Sequence, residues 1–404
     1  MRKIDLKNFQ VATSETARDI NRRIVLNFLR THQPISRADL ARKSGLQFST
    51  VSLIVEELIE QQWVTEGALT DAPRGRKPRV LHFNNDRTYI IGVDIRPVHT
   101  TLAVADMSGR FVTLERLKTI NDPEKFIDDL TKAVGAFMKS HKYTYAGIGV
   151  SLPGRVTLKG ARLAYAPNLG WRDIDFIGPL EETTGLPVIV ENAPNACALA
   201  EIWFGKHADG VQDLVALTVS EGVGCGIFMN GQLLRGPTGM AGEFGHVSIC
   251  EDGLLCNCGN RGCWEVYASN SAAVRYYEEL SAPGGKKNGQ GTTGRNGAIS
   301  FEDIVNLAEQ NDTRAVKALE KMGHYLGVGL AMVVTSLAPS VVVVVGEVTR
   351  AWNIVGPPVL KEVASRVQKH LPTKIVPTDD LIHPRLRGAV AVILHNDLGA
   401  PLVA

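Results

Sequence analysis

The chain has 404 residues, of which 44% are hydrophobic and 21% are charged, and it contains six cysteines. This composition is typical of a globular protein, and it excludes a disordered chain, a collagen-like fibre and a small disulfide-built domain. We find no signal peptide and no run of about 18 apolar residues, which predicts a cytoplasmic protein without membrane contact. Residues 1–86 hold 14 Lys and Arg against 10 Asp and Glu, and this excess favours an anionic partner for the N-terminal part.

The N-terminal part combines amphipathic helices with a basic hairpin. Pro34 stops the first helix, Ser36 is placed to cap a short second helix that ends at Gly45, and Ser49 opens a third. The helices are predicted over residues 15–32, over 37–44 and from 49 onward, and two short strands at 63–64 and 79–83. This order predicts an α+β winged helix-turn-helix domain over residues 1–86.

A duplex major groove admits one helix, and the second helix of a helix-turn-helix usually enters it. The residues predicted to contact double-stranded DNA lie before and in that helix, and on the basic loop of the hairpin: Arg37, Gln47, Phe48, Ser49, Thr50, Ser52, Arg74, Arg76 and Lys77. Arginines on the loop would favour a narrow minor groove. The alternative is a small helical adaptor that binds protein, in which Gln47 and Ser49 only cap the helix.

From Thr88 the pattern changes to two β-rich halves, each followed by helices. Such halves predict two lobes with a cleft between them. We assign residues 87–195 to the first lobe, together with a returning C-terminal helix within 383–404, and residues 196–382 to the second. The Gly-rich basic stretch 282–297 is expected to be a mobile surface insertion.

A metal site is predicted where His246 is followed by three closely spaced cysteines, Cys256, Cys258 and Cys263. One imidazole and three thiolates form a closed tetrahedral set, which suits one structural Zn²⁺ per chain. The alternative is a buried histidine beside reduced core thiols. The other three cysteines, Cys197, Cys225 and Cys250, are expected to be small core residues. Cys250 could also compete as a metal ligand.

Several motifs together resemble the ROK family of bacterial repressors and sugar kinases. In chain order they are GVDI, SLPGRV, ENAPNACALAE, GEFGH and CNCGNRGCWE. The resemblance implies a multidomain protein, in which the winged helix-turn-helix precedes a two-lobed α/β actin/hexokinase-type (ribonuclease H-like) ATPase fold. The basic N-terminal domain looks like that of the family's xylose- and N-acetylglucosamine-type repressors, and the family's sugar kinases lack it.

The same resemblance implies a sugar or sugar-phosphate effector site. The matched positions are Pro153, Gly154, Asn168, Asn192, Glu243, His246 and Glu265. Carboxylates and amides suit this role because they bind pairs of sugar hydroxyls. A zinc ion would also hold the Glu243, His246 and Glu265 side chains in place.

The chain departs from the family's kinases at the positions that phosphoryl transfer needs. Ala193 stands where the kinases have the aspartate base for the sugar hydroxyl, and an alanine cannot accept a proton. Arg96 and Glu221 alter the two phosphate loops, and Glu347 alters the adenosine loop. A carboxylate near phosphate is repulsive. We therefore expect no catalytic residue and no ATP.

These observations predict a sugar-responsive DNA-binding transcriptional regulator, expected to be a repressor. Near-palindromic operators imply a homodimer or a dimer of dimers. Two alternatives remain open. One is an ATP-dependent sugar kinase with an added DNA-binding domain, which would need a base at position 193. The other is a regulator that answers a partner protein, such as a sugar-transport component, instead of a sugar.

Overall fold

The computed structural model describes residues 13–69, 79–84, 88–141, 143–157, 162–206, 211–282, 299–368 and 372–399. Arg74, Arg76 and Lys77, predicted to contact DNA, and nearly all of the predicted insertion lie outside these residues. Within the described part, no helix combines the length and the apolar composition that a membrane span requires.

The N-terminal module contains three helices and a small antiparallel sheet. Its elements are α1 (Ser14–His32), β1 (Ile35–Ser36), α2 (Arg37–Ser44), α3 (Phe48–Glu60), β2 (Val64–Leu69) and β3 (Arg79–Phe83). The sheet order is β1-β3-β2. Leu26, Leu40, Val55 and Leu58 are buried between the helices and the sheet. The three predicted helices are confirmed, and β1 was not predicted.

Local signals set the bounds of these helices. The Ser36 hydroxyl accepts a hydrogen bond from the Asp39 backbone N–H (3.1 Å) and caps α2. Gly45 has φ 73°, a left-handed conformation that glycine adopts readily, and it ends α2. Helix α3 begins at Phe48, one residue before the predicted start, and Gln47 occupies its N-cap position.

The first lobe is built on a five-stranded mixed sheet of order β11-β7-β4-β5-β6. Its elements are β4 (Thr88–Ile95), β5 (His99–Asp106), β6 (Phe111–Lys118), α4 (Pro123–Ser140), β7 (Thr144–Leu152), β8 (Arg155–Val156), β9 (Leu163–Ala166), β10 (Trp171–Ile174), α5 (Ile177–Thr184) and β11 (Val188–Asn192). Strands β8, β9 and β10 form a separate small sheet, which the sequence did not predict.

The second lobe is built on a five-stranded sheet of order β14-β13-β12-β15-β16. Its elements, with the helices that precede and follow them, are α6 (Ala193–Phe204), β12 (Leu214–Val219), β13 (Val223–Met229), β14 (Gln232–Leu233), α7 (Trp264–Ala268), α8 (Asn270–Ser281), α9 (Phe301–Glu309), α10 (Thr313–Leu337), β15 (Val341–Val345), α11 (Trp352–Arg366), β16 (Lys374–Pro377) and α12 (Pro384–Leu398). Short 3₁₀ helices lie at Glu243–His246, Glu347–Ala351 and Asp380–Ile382. The all-valine strand β15 is buried throughout, as its composition predicts.

Helices α6 and α12 pack against each other between the two sheets. Helix α6 contacts β12 and β13 of the second sheet, whereas α12 contacts β4 and β7 of the first. Their backbones approach closely at Gly388, where a Cβ atom would lie 2.5 Å from the Ala196 carbonyl carbon. Both helices begin beside the cleft between the lobes, because Ala193 and Pro384 line it.

Candidate functional site

A cavity of about 510 Å³ lies between the two lobes. The structure brings together in its wall all seven residues that the sequence assigns to an effector: Pro153, Gly154, Asn168, Asn192, Glu243, His246 and Glu265. The altered phosphate-loop and adenosine-loop residues Arg96, Glu221 and Glu347 also line this cavity. One cleft therefore contains both the predicted sugar-binding residues and the predicted departures from a kinase.

Asn192 is held at the junction of β11 and α6. Its Oδ1 accepts a hydrogen bond from the Asn195 N–H (2.9 Å), which caps α6. The preceding Glu191 carboxylate accepts from the Asn192 N–H and from Asn195 Nδ2, both at 3.0 Å. Arg235, from beyond β14, pairs with Glu191 at 2.8 Å. This network fixes the Asn192 backbone and side chain at the edge of the cavity.

Glu243, His246 and Glu265 form a polar group on the opposite lobe. The 3₁₀ helix that bears Glu243 and His246 follows Gly242, whose φ of 93° is left-handed. A Cβ atom at Gly242 would lie 2.1 Å from the Cys225 carbonyl oxygen, so the close approach requires glycine. His246 Nε2 lies 3.6 Å from Glu243 Oε2, and its Nδ1 lies 3.4 Å from Glu265 Oε1.

His246 also belongs to the predicted metal cluster. The ligand atoms of His246, Cys256, Cys258 and Cys263 all lie within 4.8 Å of one another. Cys256 Sγ is 3.7 Å from His246 Nδ1, and the sulfurs of Cys258 and Cys263 are 3.6 Å apart. Tetrahedral Zn²⁺ with Zn–S near 2.3 Å and Zn–N near 2.1 Å separates its ligand atoms by about 3.6–3.8 Å. The donor set and these two distances therefore fit zinc.

The remaining cysteines lie apart from this cluster. Cys197 and Cys225 are buried, as expected for small core residues. Burial raises the pKa of Cys197 to about 12, so this thiol stays protonated at neutral pH. The expectation for Cys250 was wrong, because its side chain is exposed and not part of the core. Cys250 lies on a surface turn, where its carbonyl oxygen accepts a hydrogen bond from the Gly253 N–H (3.1 Å).

The other half of the cleft is filled with ion pairs. Arg96 Nε bonds Asp94 Oδ2 at 3.0 Å, and Arg96 Nη1 bonds Glu347 Oε1 of the second lobe at 2.9 Å. Arg385 Nε, at the start of α12, lies 3.2 Å from Asp94 Oδ1. Asn270 Nδ2 donates to Glu347 Oε2 at 3.2 Å. Arg96 and Glu347, two of the altered loop residues, thus bond each other across the two lobes.

Asp380 and Ala193 are two further residues of the cavity wall. Burial and the neighbouring Glu347 carboxylate raise the pKa of Asp380. Ala193 lies at the first position of α6 and is 5% exposed. Its methyl side chain cannot accept a proton.

Among the described residues predicted to contact DNA, those at the start of α3 are the most exposed. Phe48 is 56% exposed, Ser49 and Gln47 are exposed, and Thr50 and Ser52 are half-buried. Within the described residues the Gln47 side chain forms no capping hydrogen bond, so capping does not explain it. Arg37 forms an ion pair with Glu66, which also binds Arg79 at 2.8 Å.

Sequence reasoning missed several residues of the cavity wall. Arg155, Tyr165 and Arg172 come from the small sheet, and the Arg172 guanidinium lies 3.9 Å from the centre of the Tyr165 ring. Arg385, at the start of α12, also lines the cavity. The aromatic and arginine residues within 162–172, Arg162, Tyr165, Trp171 and Arg172, were a usable signal, because aromatic and guanidinium groups commonly stack.

The chain is similar to a protein family and to several known proteins. The model of the ROK family matches residues 90–395. The xylose repressor of Bacillus subtilis (strain 168) is 33% identical over 366 residues, which cover 89% of this chain and 91% of that protein. Two crystal structures are also similar.

The first is a ROK family transcriptional regulator, a homolog of the E. coli MLC protein. It has a TM-score of 0.81 at 26% identity and covers 95% of this chain and 98% of its own. The second is a ROK family glucokinase from Streptomyces griseus in complex with glucose and AMPPNP. It has a TM-score of 0.65 at 31% identity and covers 75% of this chain and 98% of its own. The family match spans most of the chain, and this protein belongs to the ROK family.

Proposed function

We propose that this protein is a DNA-binding transcriptional repressor whose two-lobed part binds a sugar or sugar phosphate and transfers no phosphate. The similarity to the xylose repressor extends over 89% of the chain. The similarity to the glucokinase covers only 75%. The ROK regulator structure covers 95% of the chain, and its 20% excess over the glucokinase is about the size of the N-terminal module.

The N-terminal module is proposed to be a winged helix-turn-helix. Helices α2 and α3 are joined by a short turn at Gly45, and β2 and β3 form the hairpin that follows. The start of α3 exposes Gln47, Phe48 and Ser49, where a major groove would contact base edges. Two such modules on a near-palindromic operator require a homodimer or a dimer of dimers.

The observation that supports ligand sensing is the polar wall of the sugar half of the cleft. Glu243 and Glu265 flank His246 on one lobe, and Asn192 faces them from the other. The Asn192 Nδ2 amide has no hydrogen-bond partner among the described residues, although its Oδ1 caps α6. Carboxylates and an amide that converge on one cavity suit a polyhydroxylated ligand.

Zinc is proposed to have a structural role. Bound by His246, Cys256, Cys258 and Cys263, it would fix the loop that precedes Glu265 and the 3₁₀ helix that bears Glu243. Four protein ligands leave no open position for water, so the ion would organise the wall of the site and not activate a nucleophile.

The experiment is an operator titration with a DNA fragment selected from a random duplex pool by the wild-type chain. Affinity is measured without sugar and with a panel of pentoses, hexoses and their phosphates. We expect one sugar class to weaken binding by about 5- to 150-fold. A chain lacking residues 1–86 should bind no DNA, and binding by the full chain should weaken steeply with salt.

Two variants separate sensing from DNA binding. Glu243→Ala should bind the operator as the wild type does, yet lose the sugar response. Glu320→Ala removes the same charge from the exposed face of α10 and should respond normally. If no sugar changes wild-type affinity and a sugar-transport protein does, the partner-controlled alternative replaces this proposal.

A further inference from the structure

Helix α1 of the N-terminal module contacts both of the helices that lie between the lobes. Arg23 Nη1 donates to the Asn396 and Gly399 carbonyl oxygens at the end of α12, both at 2.8 Å. Asn27 Nδ2 donates to the Leu398 carbonyl oxygen at 2.6 Å. These are carbonyl groups that a helix C-terminus leaves without intrahelical partners.

The same helix also bonds the end of α6. Arg30 Nη1 donates to the Trp203 carbonyl oxygen at 3.1 Å, and its guanidinium lies 4.8 Å from the centre of the Trp203 ring. A cation at a helix C-terminus is favoured by the helix dipole. Arg23 and Arg30 thus place α1 across the C-terminal ends of two helices.

The N-terminal ends of these two helices lie at the cleft. Ala193 begins α6, and Pro384 and Arg385 begin α12; all three residues line the cavity. At 1.5 Å per residue, a helix of this size spans roughly 18–22 Å. Each helix therefore runs from the cleft wall to a contact with α1.

The two helices pack mainly on different lobes. Helix α6 packs mainly on β12 and β13, with smaller contacts to β7 and β11 of the first sheet, and α12 packs mainly on β4 and β7. A change in the angle between the lobes would therefore shift one helix along the other, as in shear closure. Where the helices cross, a Cβ atom on Gly388 would lie 2.5 Å from the Ala196 carbonyl carbon, so the two backbones are in close contact.

We propose that α1 is the element that senses the angle between the lobes, because Arg23 and Asn27 bond it to α12 while Arg30 bonds it to α6. A sliding motion of these helices would tilt α1, and α2 and α3 pack against it. This inference rests on the proposed function, because the output is operator binding. The coupling between the cleft and α1 does not require that the ligand be a sugar.

The test changes the lobe angle without a ligand. Arg96→Glu places a carboxylate opposite Glu347, which Arg96 now bonds from the other lobe, and the repulsion should open the cleft. Operator affinity is measured for Arg96→Glu alone, for Arg23→Ala/Asn27→Ala, and for all three changes together. We expect Arg96→Glu alone to change operator affinity by at least about 5-fold relative to the wild type. In the Arg23→Ala/Asn27→Ala background, which lacks the α12 contacts, the same change should alter operator affinity by less than about 2-fold.

The matched control is Arg18→Ala. This arginine lies on the same helix, but its partner is Glu57 of α3, inside the module. Combined with Arg18→Ala, Arg96→Glu should keep its full effect. Equal effects of Arg96→Glu with and without Arg23 and Asn27, or no effect in the wild-type chain, would overturn the inference.

A replacement variant covers the case in which Arg96→Glu does not fold, and a second measurement covers the case in which the chain binds no DNA. Glu347→Arg creates the reverse repulsion with Arg96 and replaces Arg96→Glu if that variant does not fold. Hydrogen–deuterium exchange of the α1 amides needs no operator: cleft opening should change it in the wild-type background and not in Arg23→Ala/Asn27→Ala. A chain that shows this exchange difference but binds no DNA would refute the proposed function and support the coupling.

Discussion

The two halves of the cleft differ in what their polar side chains bind. In the sugar half, Glu243, His246 and Glu265 converge on the cavity and are held from behind by the cysteine cluster. In the other half, the proposed nucleotide half, Arg96 and Glu347 bond each other. The carboxylates of the sugar half thus pair with His246 of their own lobe, whereas the ion pair of the nucleotide half joins the two lobes.

This difference indicates how a kinase-like fold can serve as a sensor. Binding and catalysis make separate demands on a site, because only groups that stabilise the transition state raise the rate. In the proposed regulator, the absence of a base at position 193 and the altered phosphate loops would remove the second demand. The ion pair between Arg96 and Glu347 instead joins the two lobes.

The largest effect on the unfolding free energy is expected from the loss of a proposed zinc ligand. Cys258→Ser removes one of four proposed ligands, and the chain should lose its zinc and several kcal/mol of unfolding free energy, because structural metal binding is coupled to folding. Zinc content by elemental analysis and a thermal melt measure both. The sugar response should disappear as well, since Glu243 and Glu265 flank the site.

Cys250→Ser is the matched control, because this exposed thiol lies close in sequence but outside the cluster. It should keep one zinc and a wild-type melting temperature. If Cys250→Ser loses the metal while Cys258→Ser retains it, the ligand assignment is wrong.

A smaller effect on the unfolding free energy is expected from the ion pair in the nucleotide half. Glu347→Gln removes the charge that Arg96 bonds across the lobes, and both side chains are partly exposed (24% and 31%). The unfolding free energy should fall by about 1 kcal/mol at most, because Arg96 keeps Asp94 as a partner. Urea unfolding at low and high salt measures this change. A loss as large as that of Cys258→Ser would show that the two halves do not differ as we describe.

The sequence predicts the regular elements of this fold well. Helix α12 lies within the predicted range 383–404, and Pro384 marks its start. The zinc cluster was also predictable, since three of its ligands lie within eight residues. Short strands such as β8 were missed because two residues have no detectable period.

The ion pair between Arg96 and Glu347 was not predicted for a different reason. The two residues are 251 positions apart, and the sequence shows each only as an altered loop position. Opposite charges at two altered loops become informative only when the fold brings the loops together. The same holds for Arg23 and the end of α12, which the sequence separates by nearly the whole chain.

The smallest effect is expected from restoring the missing base. Ala193→Asp adds a carboxylate at the N-terminus of α6, where the helix dipole favours negative charge, so the variant should fold. It should nevertheless show no sugar-dependent ADP formation above background. A general base contributes about 10²- to 10⁴-fold to the reaction rate, but Arg96, Glu221 and Glu347 would still line the nucleotide half of the cleft. Sugar-dependent turnover by the wild type or by Ala193→Asp would show that this half still binds ATP. It would contradict the proposed difference between the two halves of the cleft.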